Sequence, residues 1–217
     1  MRVYHFVSAV YGLENLQFRR LKIARVNELN DPFEFMARAS NSLERAALRA
    51  TKDQQSAKTG LLCFSESWKN SVQWSHYADR HRGMCLGFDV PDEHIQKVTY
   101  RKSPIRFDVH RFQSDGIYAE EFSKKLVSTK FYDWSYEKEW RLYIKLDLET
   151  EIDGKYFYKF SDDLRLAEVI VGSASLLTRS QVATALGTLA EKVRRRKARM
   201  AFNSFRVVEQ LNPRLWT

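Results

Sequence analysis

Tyr136-Glu137-Lys138-Glu139-Trp140-Arg141-Leu142-Tyr143-Ile144-Lys145-Leu146 is the stretch that decides the fold. Read as a β-strand, it alternates. Trp140, Leu142, Ile144 and Leu146 point one way, and Glu137, Glu139, Arg141, Tyr143 and Lys145 the other. The first set is a core face. The second puts two carboxylates and a guanidinium on neighbouring positions, a load that suits chemistry better than solubility. Upstream, Gln73-Trp74-Ser75-His76-Tyr77-Ala78-Asp79, followed by His81 and Gly83, carries a similar density of polar and aromatic groups.

Around these blocks the pattern predicts many strands and few helices. Val3 to Val7 reads as a strand and Ser8 to Arg20 as an amphipathic helix burying Leu13, Leu16 and Phe18. Lys22 to Val26 is a short strand, and Met36 to Lys58 a mostly exposed helix ended by Gly60. Leu61 to Ser65 is an apolar strand, Asn70 or Ser71 caps a helix holding Trp74 and Tyr77, and Gly83 to Val90 is a further strand. Gly116 to Lys130 reads as a helix. Asp153-Gly154 is a hairpin signal, with Tyr156 to Phe160 as the returning strand. Leu166 to Val171 is a buried-type strand, Thr178 to Met200 the longest helix, and Phe205 to Val208 a last strand. No regular βαβ spacing appears, so the expected class is α+β: a single domain over 1–217 with a mostly antiparallel, split sheet and surrounding helices.

Composition bounds the function classes. The 217 residues are enough to bury a core, and an aromatic share of 13% can line a groove as well. No stretch approaches the roughly 20 apolar residues of a membrane span. The N-terminus lacks a secretory h-region, and Cys63 and Cys85 make no disulfide framework. The expected location is therefore the cytoplasm, with no membrane. Thirty-six Lys and Arg against 27 Asp and Glu leave a net charge of +9, compatible with nucleic acid or another polyanion as partner. Arg194-Arg195-Arg196-Lys197, at the end of the expected long helix, is a candidate nucleic-acid-binding patch and equally a solvated, dipole-favoured helix end.

Three blocks occur in order: Asn30-Asp31-Pro32-Phe33-Glu34; Cys63-Phe64-Ser65 with Trp74 to Asp79 and Gly83; and Trp134 to Arg141. In this the chain resembles the bacterial family called domain of unknown function 2971, over about residues 3–172, a family whose name supplies no activity. A more distant resemblance is to ADP-ribosyltransferases that use NAD. In those enzymes an early strand carries a His or Arg, a middle strand a Ser or aromatic residue, and a late strand the catalytic Glu, around a nicotinamide cleft in a split sheet. Tyr4-His5-Phe6, Leu62-Cys63-Phe64-Ser65 and Glu137-Lys138-Glu139 would be those strands. The chain departs from the Arg-Ser-Glu class, since Ser65 is not followed by Thr-Ser.

The resemblance implies roles. Glu139 would be the catalytic carboxylate and Glu137 its acceptor-side partner. His5 and Ser65 would hold the nicotinamide ribose or amide of NAD, and Tyr77 would stack on the ring. Arg141 would steady the carboxylates or a phosphate, with His76 an acid–base candidate. It also implies a toxin or phage-defence setting with a neutralising partner protein.

The same residues have plain structural readings. Glu139 and Arg141 could form a same-face pair, His5 could be a satisfied core histidine, and Trp74 and Tyr77 could simply pack one helical turn apart. Two other functions fit the composition: a non-enzymatic nucleic-acid-binding module, and a metal-dependent nuclease holding Mg²⁺ with Glu34, Asp79, Glu137 and Glu139. His76, Asp79, His81 and Cys85 are zinc-ligand types without tight ligand spacing, so no metal site is expected.

Overall fold

The computed structural model describes residues 1–147 and 151–217. The chain opens with β1 (Arg2–Val7), then α1 (Ala9–Phe18), whose first turn is held by the Ser8 side chain accepting from Tyr11 N. Short strands β2 (Arg20–Lys22), β3 (Ala24–Arg25) and β4 (Ala37–Arg38) lead to α2 (Ser42–Lys58), which runs straight into β5 (Thr59–Ser65). Next come α3 (Ser71–Tyr77), β6 (Met84–Asp89), β7 (Gln96–Lys97), β8 (Thr99–Arg101) and β9 (Ile105–Arg106). Helices α4 (Val109–Ser114) and α5 (Gly116–Val127) precede β10 (Thr129–Phe131). The diagnostic strand is β11 (Glu139–Lys145). It is followed by β12 (Glu151–Ile152), β13 (Lys155–Lys159), β14 (Arg165–Val171), α6 (Arg179–Leu186), β15 (Arg194–Met200) and β16 (Val207–Glu209).

The main sheet runs β16-β15-β14-β6-β1-β5-β11-β7, with β3 also on β5. All its pairings are antiparallel except β14 with β15, and with the helices this is an α+β fold. Its centre is split. β5 pairs with β11 along its whole length, Thr59 to Ser65, whereas β1 meets β5 only at Tyr4↔Ser65. Beyond that point His5 and Phe6 diverge from Phe64 and Cys63. The gap leaves a backbone carbonyl without a ladder partner, and His5 Nδ1 takes that place, 3.0 Å from Cys63 O.

Both faces of the sheet are covered. One face buries Leu62, Phe64, Leu86, Phe88, Leu142 and Ile144 in the largest core cluster. On the other face Leu61, with Cys63 and Tyr143 against it, belongs to a cluster containing Phe122 and Leu126 of α5. Further along that face Cys85 and Ile170 join Trp74 and Ala78 at α3, with Tyr4 and Phe6 packed against them. The two clusters part over β1 and β5.

Several expectations are corrected. Thr178 to Met200 is not one helix. A Thr178–Gln181 capping box starts α6, and Gly187, with φ of 52°, ends it. Arg194–Met200 instead pairs in parallel with β14, Glu168 opposite Arg194 and Val171 opposite Lys197. Sheet pairing that buries Ala198 outweighs the helix preference of an Arg-, Lys- and Ala-rich run. Gly116 to Lys130 stops as a helix at Val127, and Lys130 lies in β10, paired with Tyr100. The helix expected from Met36 begins at Ser42, where Asn41 Oδ1 accepts from Glu44 N at 2.8 Å. Phe18 and Ile117 point to solvent. Asp153-Gly154 turns the expected hairpin, with φ positive at both residues; it joins β12 to the returning strand β13, which then pairs with β2.

Candidate active site

Glu137 is not a strand residue. It ends a 3-10 turn, Tyr132–Glu137, and Lys138 takes a left-handed φ of 46° before β11 begins. The turn nevertheless brings Glu137 to the same place as Glu139, because the reversal at Lys138 substitutes for the expected alternation. Both carboxylates are almost fully buried.

The feature that local sequence hid is Lys130. From the short strand after α5 its ammonium reaches Glu137 at 2.7 Å, Glu139 at 3.2 Å and Glu34 at 3.4 Å, and it lies 4.9 Å from the centre of the Trp134 ring. Arg141 completes the cluster. Its Nε donates to Glu139 at 2.7 Å, and its Nη2 to Glu139 at 3.1 Å and Glu34 at 2.7 Å. Arg141 and Tyr143 also satisfy the Val127 carbonyl at the end of α5, where the helix leaves orphan acceptors. Three carboxylates thus face two cations, one negative charge in excess if all are ionised, and Glu34 Oε2 has no hydrogen-bond donor among the described residues.

The two central acids are driven apart. Burial opposes the charge of Glu139, but Arg141 and Lys130 outweigh it and hold its pKa at about 2. Burial, helped by the charge of Glu139, raises Glu137 above the ordinary glutamate value despite Lys130 and the Tyr77 hydroxyl. A carboxylate fixed in its ionised form beside one that exchanges a proton more readily is the usual mark of divided acid–base roles.

The pocket occupies the split. Tyr4, His5 and Phe6 form one wall and Cys63, Phe64 and Ser65 the other, with Glu34, Gln73, Tyr77, Lys130, Glu137 and Glu139 also lining a cavity of about 120 Å³. His5 donates from Nδ1, since its partner there is a carbonyl, which leaves Nε2 as an acceptor. Burial pushes its pKa down, so the ring is neutral at pH 7.

The Ser65 hydroxyl donates to the Glu137 carbonyl at 2.7 Å and accepts from Gln73 Nε2 at 3.1 Å, while Gln73 Oε1 is buried without a partner among the described residues. Ser65 therefore holds the Glu137 turn as well as lining the pocket. The Tyr77 hydroxyl donates to Glu137 and accepts from Asn30 Nδ2 at 2.9 Å. Asn70 positions this group of residues: its side chain accepts from Val72 N and Gln73 N at the start of α3 and donates to Tyr136 O.

The expected residues His5, Ser65, Tyr77, Glu137 and Glu139 meet at this pocket, and Arg141 backs it. His76 does not line it. It is exposed on α3, with Nδ1 2.9 Å from the Tyr136 hydroxyl. Arg194 to Lys197 lie on β15, with four strands between it and β11, and do not form one patch. Arg194 and Arg196 pair with Glu209, Arg196 also with Glu168, and Lys197 Nζ donates to Ser175 O. Lys130 and Tyr100, whose hydroxyl accepts from Glu139 N, had no local signal. Asn30 and Glu34 had one, in the turn motif.

Residues 73–142 match the model of a family described as protein of unknown function (DUF2971). This segment is DUF2971-like. The match is narrower than the 3–172 of the sequence resemblance, yet it spans Gln73, Tyr77, Lys130, Glu137, Glu139 and Arg141, most of the charged cluster. Neither the curated proteins nor the solved structures provide a match to the chain.

Among the described residues no group of three His, Cys, Asp or Glu side chains is arranged to hold a metal ion. Glu34, Glu137 and Glu139 are turned instead to Lys130 and Arg141. No helix among the described residues is long and apolar enough to cross a membrane.

Proposed function

We propose that the split between β1 and β5 takes the nicotinamide–ribose end of NAD and that the protein transfers ADP-ribose to an acceptor. The observation that carries this reading is the meeting of His5, Ser65 and Glu139, from three neighbouring strands, on one pocket where Glu139 is held ionised. The charge balance supports it. A cluster with one carboxylate in excess favours a cationic guest, and the nicotinamide ring of NAD is a cation lost as a neutral molecule.

In this mechanism the bond from ribose C1′ to the ring nitrogen breaks, and its electron pair leaves with nicotinamide. Positive charge develops on the ribose opposite Glu139, which stabilises it without taking a proton. The acceptor nucleophile bonds to C1′ and gives its proton to Glu137, the carboxyl with the raised pKa. In this reading His5 Nε2 accepts from a ribose hydroxyl, the Tyr77 ring covers the nicotinamide, and Gln73 Oε1 accepts from its amide. Lys130 and Arg141 hold both acids in position. A Mg²⁺-dependent nuclease fits less well, because the oxygens such an ion would need already serve Lys130 and Arg141.

The test is transfer of label from adenylate-labelled NAD into lysate, nucleic acid and the protein itself, comparing wild type with Glu139→Gln. Tyr77→Phe serves as a second variant, because it leaves the buried ion pairs intact. Label with wild type, lost in Glu139→Gln and reduced in Tyr77→Phe, supports the reading. No label in any fraction and no NAD-induced rise in melting temperature overturns it.

A further inference from the structure

A second surface stands apart from the pocket. The loop from Ala201 to Arg206, between β15 and β16, is closed by Ala201 N donating to Arg206 O at 3.0 Å. It is tied to the start of α3 by Val207 N donating to Lys69 O at 3.0 Å and by the Asn70–Arg206 bridge. On this anchored loop Phe202 is 95% and Phe205 99% exposed. A phenyl ring is stabilised by leaving water, so two rings left fully in water on an ordered loop are unused binding surface.

The unpaired charges around the rings have one sign. Lys69, Lys138, Arg199 and Arg206 form no ion pair among the described residues, and the Arg199 guanidinium lies 4.9 Å from the Phe202 ring centre. Among the described residues the one carboxylate lining this surface, Glu209, is engaged by Arg194 and Arg196. Two hollows of about 610 and 370 Å³ flank the loop and share Lys69 and Arg206. Asn203 and Ser204 line the first, Asn70 and Ser71 the second, and Tyr136 and Ser65 join the second to the edge of the candidate active site.

We infer that this loop is a platform for single-stranded nucleic acid, with unpaired bases stacked on Phe202 and Phe205 and phosphates on Lys69, Lys138, Arg199 and Arg206. Aromatic faces interleaved with unpaired cations are what such strands require, because every base has a π-face and every nucleotide a charge. An anionic membrane would also attract cations and phenyl rings. Hollows lined with amides and hydroxyls serve base edges and sugars, and a lipid surface has no use for them. That the bound strand supplies the acceptor for transfer rests on the preceding reading; the binding itself does not.

The experiment is fluorescence anisotropy of the full chain, without NAD, against labelled single strands of about 12 nucleotides, mixed-sequence DNA and RNA, at several salt concentrations. Binding that weakens with salt, exceeds binding to the matching duplex, and drops at least tenfold in Phe202→Ala/Phe205→Ala is expected. Lys69→Gln should flatten the salt dependence while leaving the fold unchanged, since the side chain is exposed. No binding of single strands by wild type, equal binding of duplex, an unaffected double variant, or capture only by vesicles of anionic lipid would each overturn the inference. Because NAD is absent, a failure here is independent of the transferase assay.

Discussion

Glu139 and Glu137 carry the same side chain two positions apart and behave differently because of what surrounds them. Glu139 has both oxygens on Arg141 and Lys130, while Glu137 divides its oxygens between Lys130 and the Tyr77 hydroxyl. Replacing Glu139 by Gln should lower transfer by about 10²-fold or more, the scale of removing a group aimed at developing charge. In the proposed transfer Glu137 would set the acidic limb of the rate. Its raised pKa means that the base form is lost as pH falls through a value above the ordinary glutamate one of about 4.3, and Glu137→Gln should remove that limb from the pH–rate profile. Lys130→Met leaves three buried carboxylates with a single cation. It should cost about 3–5 kcal/mol in urea unfolding, far more than an exposed lysine.

At the scale of elements, α3 and the 3-10 turn before β11 are joined through Asn70, Gln73 and Ser65. Asn70→Ala removes the cap of α3 and the bond to the Tyr136 carbonyl. About 1 kcal/mol of stability should be lost on thermal or urea unfolding. Gln73 is then less well held, so NAD affinity measured by calorimetry should fall with it. A loss of stability with unchanged affinity would show that the cap does not position the pocket. Gly172, just after β14, belongs to the same scale. A Cβ there would meet the backbone of His81 and Gly83, which cannot retreat as a flexible side chain would. Gly172→Ala should therefore destabilise by about 1–3 kcal/mol, read from the urea midpoint.

For the molecule as a whole, pH dependence follows from the buried cluster. Glu139 has a folded pKa of about 2, below its unfolded value, so its contribution is complete above about pH 5 and disappears as pH falls towards 2. The depression corresponds to about 3 kcal/mol at most. Glu137, with its pKa raised, works the other way, favouring the folded state below the ordinary carboxylate range and losing that as pH rises. Urea titrations between pH 2 and 6 should show a net acid loss that is shallower in Glu139→Gln. The excess charge also predicts that a cationic guest in the pocket stabilises the fold more than a neutral one of the same shape. Nicotinamide mononucleotide against its reduced form, compared by melting temperature, would check this.

The alternation from Glu139 to Leu146, the cap at Asn70, the hairpin at Asp153-Gly154 and the apolar strand before Ser65 were legible from residues alone. Each depends on contacts within a few positions, and period and capping report those directly. The same alternation showed which face of β11 carries charge, and the ordered blocks identified most residues of the pocket. Tertiary structure decided the rest. Arg194 to Met200 has the composition of a helix and becomes a strand because β14 offers a parallel edge to Arg194–Lys197, β16 pairs beyond it, and Ala198 is buried. Lys130 looks like the end of a surface helix, yet it holds three acids drawn from positions 34, 137 and 139. The gap between β1 and β5, which makes the pocket, is a failure of two strands to pair, and His5 satisfies the carbonyl it exposes. Local pattern records what a residue prefers. Which charge meets which, and where a sheet opens, depends on groups distant in the chain and is settled only when their burial must be compensated.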